Sequence, residues 1–286
     1  MQGFFRSGDG TAIYYESSGE GRPLIFCYGL VCSIDHLHFQ IEHFSQRYQV
    51  IAFDYRGHHR SSTPQNDRNI TLEWCAKDVQ GLIRHLGLKE AVCIGHSMGV
   101  PISVLLSALE PQVLKGLVLI CGSVGNPFKR MFYSDKLNAF YEVVSRLYDA
   151  APEVAMKVWK KLTDQNRLSY FIASKFGFNP TLAEERTIRM YLEGVNQTPV
   201  STFQALLRDY TKFEGARLLP GIQCPALVIA GDKDCITPID IQEDMCHRIP
   251  NAVFSVIPDG SHNALTDLPE VVNGRIDRFL ETIQYV

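Results

Sequence analysis

Short apolar runs alternate with longer amphipathic segments through the first 120 residues of the chain. The runs PLIFC (23–27), QVIAF (49–53), AVCIG (91–95) and GLVLI (116–120) are continuously apolar, which predicts buried strands. Between them, TLEWCAKDVQGLIRHLGL spaces its apolar residues three and four apart, as an amphipathic helix does. Repeated strand–helix–strand units imply parallel strands and right-handed crossovers. The pattern therefore predicts an α/β fold with an open sheet covered on both faces.

Both ends of the chain add to this sheet. Near the N-terminus, GTAIYYESSGEGRP predicts a hairpin strand with a glycine turn. The strand pattern returns late in the chain in PALVIAG (225–231) and AVFSVIPDG (252–260). A last amphipathic helix is predicted through Val271, Ile276, Phe279 and Ile283.

The middle of the chain, residues 126–214, shows helical spacing without strand runs. A first helix is predicted from apolar spacing, a second after Pro152, a third at a capping box of Thr181 and Glu184, and a fourth at Pro199. The first helix draws on Phe132, Leu137, Phe140, Val144 and Leu147. We therefore expect an all-helical block, residues 126–214, inserted into an α/β core made of residues 1–125 and 215–286.

Composition narrows the class of protein. With 45% hydrophobic and 21% charged residues among 286, the chain has the composition of a globular protein. The 28 basic and 31 acidic residues give a net charge of −3, so neither nucleic acid nor a membrane is expected as a partner. No signal peptide or long apolar stretch is evident, which predicts a soluble, cytoplasmic protein. The 8 scattered cysteines, without a Cys-x-x-Cys pair, are expected to be reduced.

The segment Gly95-His96-Ser97-Met98-Gly99 is the first candidate for chemistry. A Gly-x-Ser-x-Gly motif alone is weak evidence, but this one follows a buried strand and opens a helix, which is where a nucleophile elbow must stand. The glycines allow the strand and helix to meet at a sharp angle, and Ser97 must tolerate strained dihedrals. The alternative is a glycine-lined turn with an incidental serine.

A serine nucleophile needs a base, and the base needs an orienting group. Asp232 and Asp234 follow one late strand, and His262 follows the next. Because loops that leave the carboxyl ends of parallel strands share one edge of the sheet, these residues are expected to lie near Ser97. The residues alone leave Asp232 and Asp234 as alternatives for the acid.

With these motifs, the chain resembles the α/β-hydrolase fold superfamily over nearly its whole length, specifically its serine esterase or lactonase-like branch with a helical cap. The resemblance implies an open, mostly parallel sheet of the eight-stranded type and the chain order Ser97, Asp234, His262. It selects Asp234 over Asp232 because the family places its acid three residues after the glycine of GDKDCITP.

An oxyanion hole must supply N–H donors to the charge that develops in the transition state. Met98 follows the serine, so its backbone N–H is expected to be one donor. The resemblance implies Leu30 as the second, although this chain has Tyr28 where relatives often have histidine. FDYRGHHRSS (53–62) also resembles a family segment, with His59 where a second glycine is common; its Asp54 and Arg56 are expected to hold loops together.

The helical block leaves the core after GLVLI, on the edge where the candidate residues lie. We therefore expect it to form a lid over the site and to supply part of an apolar pocket wall. Most of its aromatic side chains are expected to pack in the block's own core, since helical spacing predicts burial. They are Phe128, Phe132, Tyr133, Phe140, Tyr141, Trp159, Tyr170, Phe171, Phe176 and Phe178.

Neither a metal nor a cofactor is expected. The histidines at 36, 38, 43, 58 and 59 lack the spacing of a zinc site, and no dinucleotide or P-loop motif is present. The chain is thus expected to be a serine hydrolase of a small to medium, largely apolar ester or lactone. Two alternatives share the machinery: carbon–carbon bond hydrolysis of diketone-like ring-fission products, and a cofactor-free haloperoxidase-type activity. A catalytically silent protein that binds a small molecule is an alternative of a different class.

Overall fold

The protein, described here from a computed structural model, contains one eight-stranded sheet with the strand order β1-β2-β4-β3-β5-β6-β7-β8. The structure describes residues 1–134, 136–164 and 166–286. Strands β3 to β8 run parallel, and β2 pairs antiparallel with both of its neighbours, β1 and β4. The strands are β1 (Gln2–Arg6), β2 (Ala12–Ser18), β3 (Pro23–Cys27), β4 (Gln49–Phe53), β5 (Ala91–His96), β6 (Leu114–Ile120), β7 (Ala226–Gly231) and β8 (Ala252–Ile257).

Helices cover the sheet in two layers, α1 packing with α11 and α2 packing with α3. The helices are α1 (His38–Phe44), α2 (Leu72–His85), α3 (Gly99–Leu109), α4 (Lys136–Ala150), α5 (Pro152–Thr163), α6 (Arg167–Phe176), α7 (Glu185–Gln197), α8 (Val200–Lys212), α9 (Ile239–His247), α10 (Ala264–Asp267) and α11 (Pro269–Thr282). These features confirm the predicted fold class, an open and mostly parallel sheet with helices on both faces. Among the described residues, no helix combines the length and the apolar character that crossing a membrane requires.

The central strands owe their burial to the two helical layers. All six residues of β5 and all six of β7 are buried, as the continuous apolar runs predicted. The hairpin strand predicted near the N-terminus is β2, which forms an antiparallel hairpin with β1 across the turn at Gly10. Strand β2 pairs with β1 and β4, and the turn at Gly19 and Gly21 leads to β3, which pairs elsewhere. The sequence analysis also missed β1, because five residues with one buried side chain carry almost no pattern.

Helices α4 to α8 lie between β6 and β7. The predicted capping box of Thr181 and Glu184 was wrong, because α7 begins at Glu185 and its preceding residue makes no side-chain cap. A capping box instead opens α6, a helix that the sequence analysis did not predict, with Asn166 and Ser169 as its reciprocal pair. The aromatic side chains of this block are also less buried than expected. Five of the ten named above are exposed, among them Phe140 at 65%.

An ion pair inside the core ties the loop after β4 to α2. Arg56 and Asp78 are both fully buried, and two parallel hydrogen bonds of 2.6 and 2.8 Å join the guanidinium to the carboxylate. Arg56 also donates to Asp9 at 2.9 Å and to the carbonyl of Asn69 at 3.1 Å. Every donor group of this arginine therefore faces a structural partner, as a loop-fixing role requires.

Candidate active site

Ser97 occupies a strained turn between β5 and α3. Its φ of 54° lies in the left-handed region, which a non-glycine residue adopts rarely. The flanking glycines make the turn possible. A Cβ on Gly95 would collide with the Gly99 carbonyl, and a Cβ on Gly99 would collide with the Cys27 carbonyl of the neighbouring strand. Strand and helix therefore approach closely enough to present Ser97 at the edge of the sheet.

The residue after the motif, Val100, packs against Gly122, which lies on the loop after β6. A Cβ on Gly122 would collide with Val100 Cγ2 and would lie 2.7 Å from the Ser97 carbonyl oxygen. Val100 itself is fully buried. The two positions are thus complementary in size beneath the serine.

A chain of hydrogen bonds joins three of the predicted residues. His262 Nε2 lies 2.9 Å from Ser97 Oγ, and His262 Nδ1 lies 3.0 Å from an Asp234 carboxylate oxygen. Asp234 follows β7, and His262 follows β8, so adjacent parallel strands deliver them to the same edge as Ser97. Asp232, the alternative acid, is exposed to solvent. The geometry fits a serine with a base in reach and an acid behind that base.

The Asp234 carboxylate is held by several donors besides His262. The backbone N–H groups of Ile236 and Thr237 donate to one oxygen, each at 2.9 Å. The Thr237 hydroxyl donates to the other oxygen at 2.7 Å, and Gln242 approaches it at 3.4 Å. Asp234 is fully buried, so these donors compensate for the loss of water around the charge. Sequence reasoning missed Thr237 and Gln242, although a threonine three residues after an aspartate is a common turn pattern.

The motif residue His96 supports the other side of His262. Its Nε2 donates to the His262 carbonyl oxygen at 2.9 Å, while its buried Nδ1 has no hydrogen-bond partner in the described part of the chain. Burial lowers the pKa of His96 well below its usual value, so the imidazole is neutral. Sequence reasoning treated His96 only as a variable position of the motif.

The loop that carries His262 is tied to the inserted helices at the end of α6. The Gly177 carbonyl accepts from Asn263 Nδ2 at 2.8 Å, and its oxygen lies 3.0 Å from Ser261 Oγ. Asp267 accepts from Ser261 Oγ and from the Asn179 backbone N–H. Burial raises the pKa of Asp267 to about 6 despite these donors. We call this set of contacts the loop clasp; no motif in the sequence indicated it.

The backbone around Leu30 and Met98 leaves room for an oxyanion. Neither N–H donates to an acceptor within the described part of the chain, and Leu30 lies on the wall of the cavity above Ser97. Gly29 brings this loop close to the serine, since a Cβ there would lie 3.1 Å from Ser97 Cβ. Tyr28 stands where the family pattern often has a histidine, and its side chain makes hydrogen bonds of its own. Its hydroxyl accepts from the Tyr55 N–H at 3.1 Å.

The histidines that lack the spacing of a zinc site form hydrogen bonds with nearby residues, as His59 and His36 show. His59 adopts a φ of 43°, a conformation that suits the glycine common at this position, and its Nε2 donates to the Cys32 carbonyl at 2.7 Å. His36 Nε2 bonds Asn263 Oδ1 at 2.9 Å, and burial lowers its pKa to about 4. Within the described ranges, no group of three or more histidine, cysteine or acidic side chains is arranged to hold a metal ion.

A cavity of about 330 Å³ opens above Ser97 and His262. Its walls are largely apolar and come from both the core and the inserted segment, which contributes Phe128, Ile172, Phe176 and others. Among the described residues, no lysine or arginine lines it. A larger cleft of about 570 Å³ between the loop after β6 and α9 reaches neither Ser97 nor His262. The smaller cavity is therefore where a molecule would meet the serine.

The sheet is open and mostly parallel, and it carries a serine at a strand–helix turn. An acid and a histidine follow later strands. This arrangement is typical of the α/β hydrolases. The chain belongs to the alpha/beta hydrolase fold family, whose model matches residues 22–268.

Two proteins are similar to this chain over nearly the whole length of both sequences. The (E)-2-((N-methylformamido)methylene)succinate hydrolase of Acinetobacter baylyi is 28% identical over 280 residues, which are 96% of this chain and 96% of that protein. The non-heme haloperoxidase of Rhodococcus erythropolis is 27% identical over 286 residues, covering 98% and 99%.

Solved structures share the fold. A thermophilic esterase from Thermogutta terrifontis superposes with a TM-score of 0.77 at 24% identity, covering 99% of each chain. The enol-lactonase from Burkholderia xenovorans gives a TM-score of 0.81 at 20% identity, covering 98% of this chain and 100% of that one.

Proposed function

We propose that this protein is a serine hydrolase that cleaves a small to medium, largely apolar carboxylic ester or lactone. The observation that carries the proposal is the hydrogen-bond chain from Ser97 through His262 to Asp234, placed at the floor of an apolar cavity. A serine hydroxyl held 2.9 Å from an imidazole nitrogen is positioned to lose its proton as it attacks.

In the proposed mechanism, Ser97 Oγ forms a bond to the substrate carbonyl carbon while His262 Nε2 takes the hydroxyl proton. Asp234 orients the imidazole and stabilises its protonated form. The Leu30 and Met98 N–H groups hold the oxyanion. When the carbon–oxygen bond to the leaving group breaks, His262 returns the proton to that oxygen. Water, deprotonated by His262, then attacks the acyl carbon. The bond from that carbon to Ser97 Oγ breaks, His262 returns the proton to Ser97 Oγ, and the acid is released.

The cavity wall supports the choice of an uncharged substrate. In the part of the chain that the structure describes, no lysine or arginine lines the cavity, and the depressed pKa of His96 keeps that imidazole neutral. A carboxylate placed there would lose water without gaining a cationic partner, which is costly. The inserted residues 126–214 act as a lid on a core of residues 1–125 and 215–286, and their side chains set the length of acyl group that fits.

Carbon–carbon bond hydrolysis and haloperoxidase-type chemistry remain the alternatives within the same machinery, the second because similar proteins carry that name. A panel of p-nitrophenyl esters, lactones and vinylogous diketones compares them. A higher kcat/KM for diketones than for esters would replace the ester assignment.

A fluorophosphonate probe and the Ser97→Ala variant test the serine directly. We expect the wild-type chain to gain the mass of one probe and to hydrolyse p-nitrophenyl butyrate, and Ser97→Ala to do neither while keeping its circular dichroism spectrum. The matched control is Ser103→Ala, since this serine is buried in α3 and bonds the Gly99 carbonyl at 2.7 Å. A wild-type serine that stays unlabelled would indicate a silent binding protein.

A further inference from the structure

Most of the large apolar side chains that are exposed lie on three helices, α4, α5 and α6. Nineteen large apolar side chains are exposed among the described residues, and eleven of them belong to these three helices. Isolated exposed apolar residues are normal, but a concentration of this kind marks an interaction surface. We call it the helical patch; its members are Phe140, Val143, Val144, Leu147, Val154, Met156, Val158, Leu168, Phe171, Ile172 and Phe176.

The patch is organised by helical periodicity. On α4 the exposed residues stand at 140, 143, 144 and 147, and on α6 they stand at 168, 171, 172 and 176. Each set forms one stripe along its helix, as a buried face would. Helix α5 contacts both α4 and α6, so the three helices form one continuous layer. The stripes have the sequence pattern of a buried surface and yet face solvent.

The charge of this layer has the opposite sign to that of the whole chain. Residues 136–176 contain seven lysines and arginines and four acidic residues, a net charge of +3, while the whole chain carries −3. All eleven of these charged side chains are exposed. A second copy of the chain docked on the same patch would bring two positive layers together. An anionic surface would instead be attracted to it.

The patch is continuous with the cavity above Ser97. Ile172 and Phe176 line that cavity, and each also belongs to an exposed stripe of α6, with 41% of its surface exposed in total. Phe132 packs edge-on against Phe176 with ring centres 5.2 Å apart and extends the apolar surface further. A molecule leaving an apolar phase at the patch would reach the cavity along apolar side chains.

We propose that the helical patch docks this protein on an anionic lipid surface, with the mouth of the cavity at the boundary between lipid and water. Amphipathic helices with lysines on the polar side and large apolar residues on the other bind such surfaces, with apolar burial and charge attraction acting together. The net charge of the whole chain gave no reason to expect a membrane partner, because the residues outside 136–176 carry a net charge of −6 (−3 for the chain less +3 for the segment), which outweighs the local positive charge.

Vesicle co-sedimentation tests the proposal without using the chemistry of Ser97. We expect the protein to bind phosphatidylcholine vesicles that contain phosphatidylglycerol, more weakly as salt increases, and to bind pure phosphatidylcholine far less. Each lysine near an anionic surface contributes roughly five-fold to affinity, so Lys157→Gln/Lys160→Gln/Lys161→Gln should weaken binding about a hundred-fold. Phe140→Ser/Leu147→Ser should weaken it about ten-fold by removing apolar contact.

The matched control removes the same charge from another part of the molecule. Lys89→Gln/Lys115→Gln/Arg278→Gln changes three exposed cations outside the patch and should keep wild-type binding. The Ser97→Ala variant should bind as the wild type does, so that failure of the proposed hydrolysis and failure of docking are separable.

Several results would overturn the proposal. They are absence of binding to the anionic vesicles at low salt, equal binding to neutral and anionic vesicles, and a control variant as weak as the lysine variant. A fourth is a dimeric mass in light scattering that becomes monomeric in Phe140→Ser/Leu147→Ser, which would assign the patch to a second copy of the chain.

Discussion

Replacing Asp234 by asparagine tests how the proposed base is oriented. The N–H groups of Ile236 and Thr237 donate to one carboxylate oxygen, and the other oxygen faces His262 Nδ1 at 3.0 Å. An asparagine of the same shape would keep its carbonyl oxygen on the two N–H groups. Its NH2 would then point at His262 Nδ1, which must become the acceptor. The imidazole proton moves to Nε2, and the ring can no longer accept the proton of Ser97.

The expected loss follows from this change of tautomer. We expect kcat for p-nitrophenyl butyrate to fall about 10⁴-fold, equivalent to about 5 kcal/mol of transition-state stabilisation. KM should change little, because Asp234 is fully buried behind His262 and is absent from the cavity wall. Steady-state kinetics measure both quantities, and circular dichroism checks that the fold is retained.

Asp232 supplies the control, because it lies two residues earlier on the same loop and is exposed. Asp232→Asn should keep activity within about two-fold, as surface substitutions usually do. The reasoning is refuted if Asp234→Asn keeps more than about a tenth of the wild-type kcat, since the tautomer would then not depend on this carboxylate.

Three further predictions concern the packing beneath Ser97, the titration of Asp267 and the buried ion pair of Arg56 and Asp78. Gly122→Ala sets a methyl group against Val100, so we expect it to cost about 1–3 kcal/mol of stability in denaturant titrations and to lower kcat in ester kinetics. A second change, Val100→Ala, should recover only part of both losses, because a Cβ at position 122 still lies 2.7 Å from the Ser97 carbonyl oxygen. Burial raises the pKa of Asp267 from 3.8 to about 6, so the folded state holds its proton more tightly than the unfolded state. The resulting stability is present below about pH 4 and is lost as the pH rises through 6, by up to about 3 kcal/mol, whereas Asp267→Asn should lack this decline in urea titrations across pH. Arg56→Met leaves the carboxylate of Asp78 buried without its partner and should cost about 3–5 kcal/mol, most of which Arg56→Met/Asp78→Leu should recover.

Each of these has a result that would contradict it. They are a Gly122→Ala chain as stable and active as the wild type, a parallel pH dependence in Asp267→Asn, and a double variant at Arg56 and Asp78 no more stable than Arg56→Met alone.

The sheet could be predicted because its strands are continuous apolar runs. Six buried residues in a row, as in β5, have few alternatives once a helix follows. The same logic placed Ser97, Asp234 and His262 on one edge, since parallel strands deliver their following loops to the same side. The sequence could not supply distances such as the 2.9 Å between Ser97 and His262, which depend on how three loops pack.

The helical block was harder to predict, because periodicity reports an apolar stripe and not what covers it. Phe140 and Leu147 stand at the spacing of a buried face, yet they are 65% and 63% exposed. The residues around Asp234 were missed for a different reason. Gln242 reaches the carboxylate from α9, and only the tertiary fold brings that helix to the loop after β7.

The loop clasp couples the end of α6 to the loop that carries His262, so that the two segments are expected to move together. The Gly177 carbonyl oxygen contacts both Ser261 and Asn263, the two neighbours of His262 in the chain. Lifting α6 would therefore pull on the backbone of the proposed base. Anyone who exchanges these helices between relatives to change substrate range must transfer Gly177 and Asn179 together with the loop they hold, or the graft will alter turnover as well as selectivity.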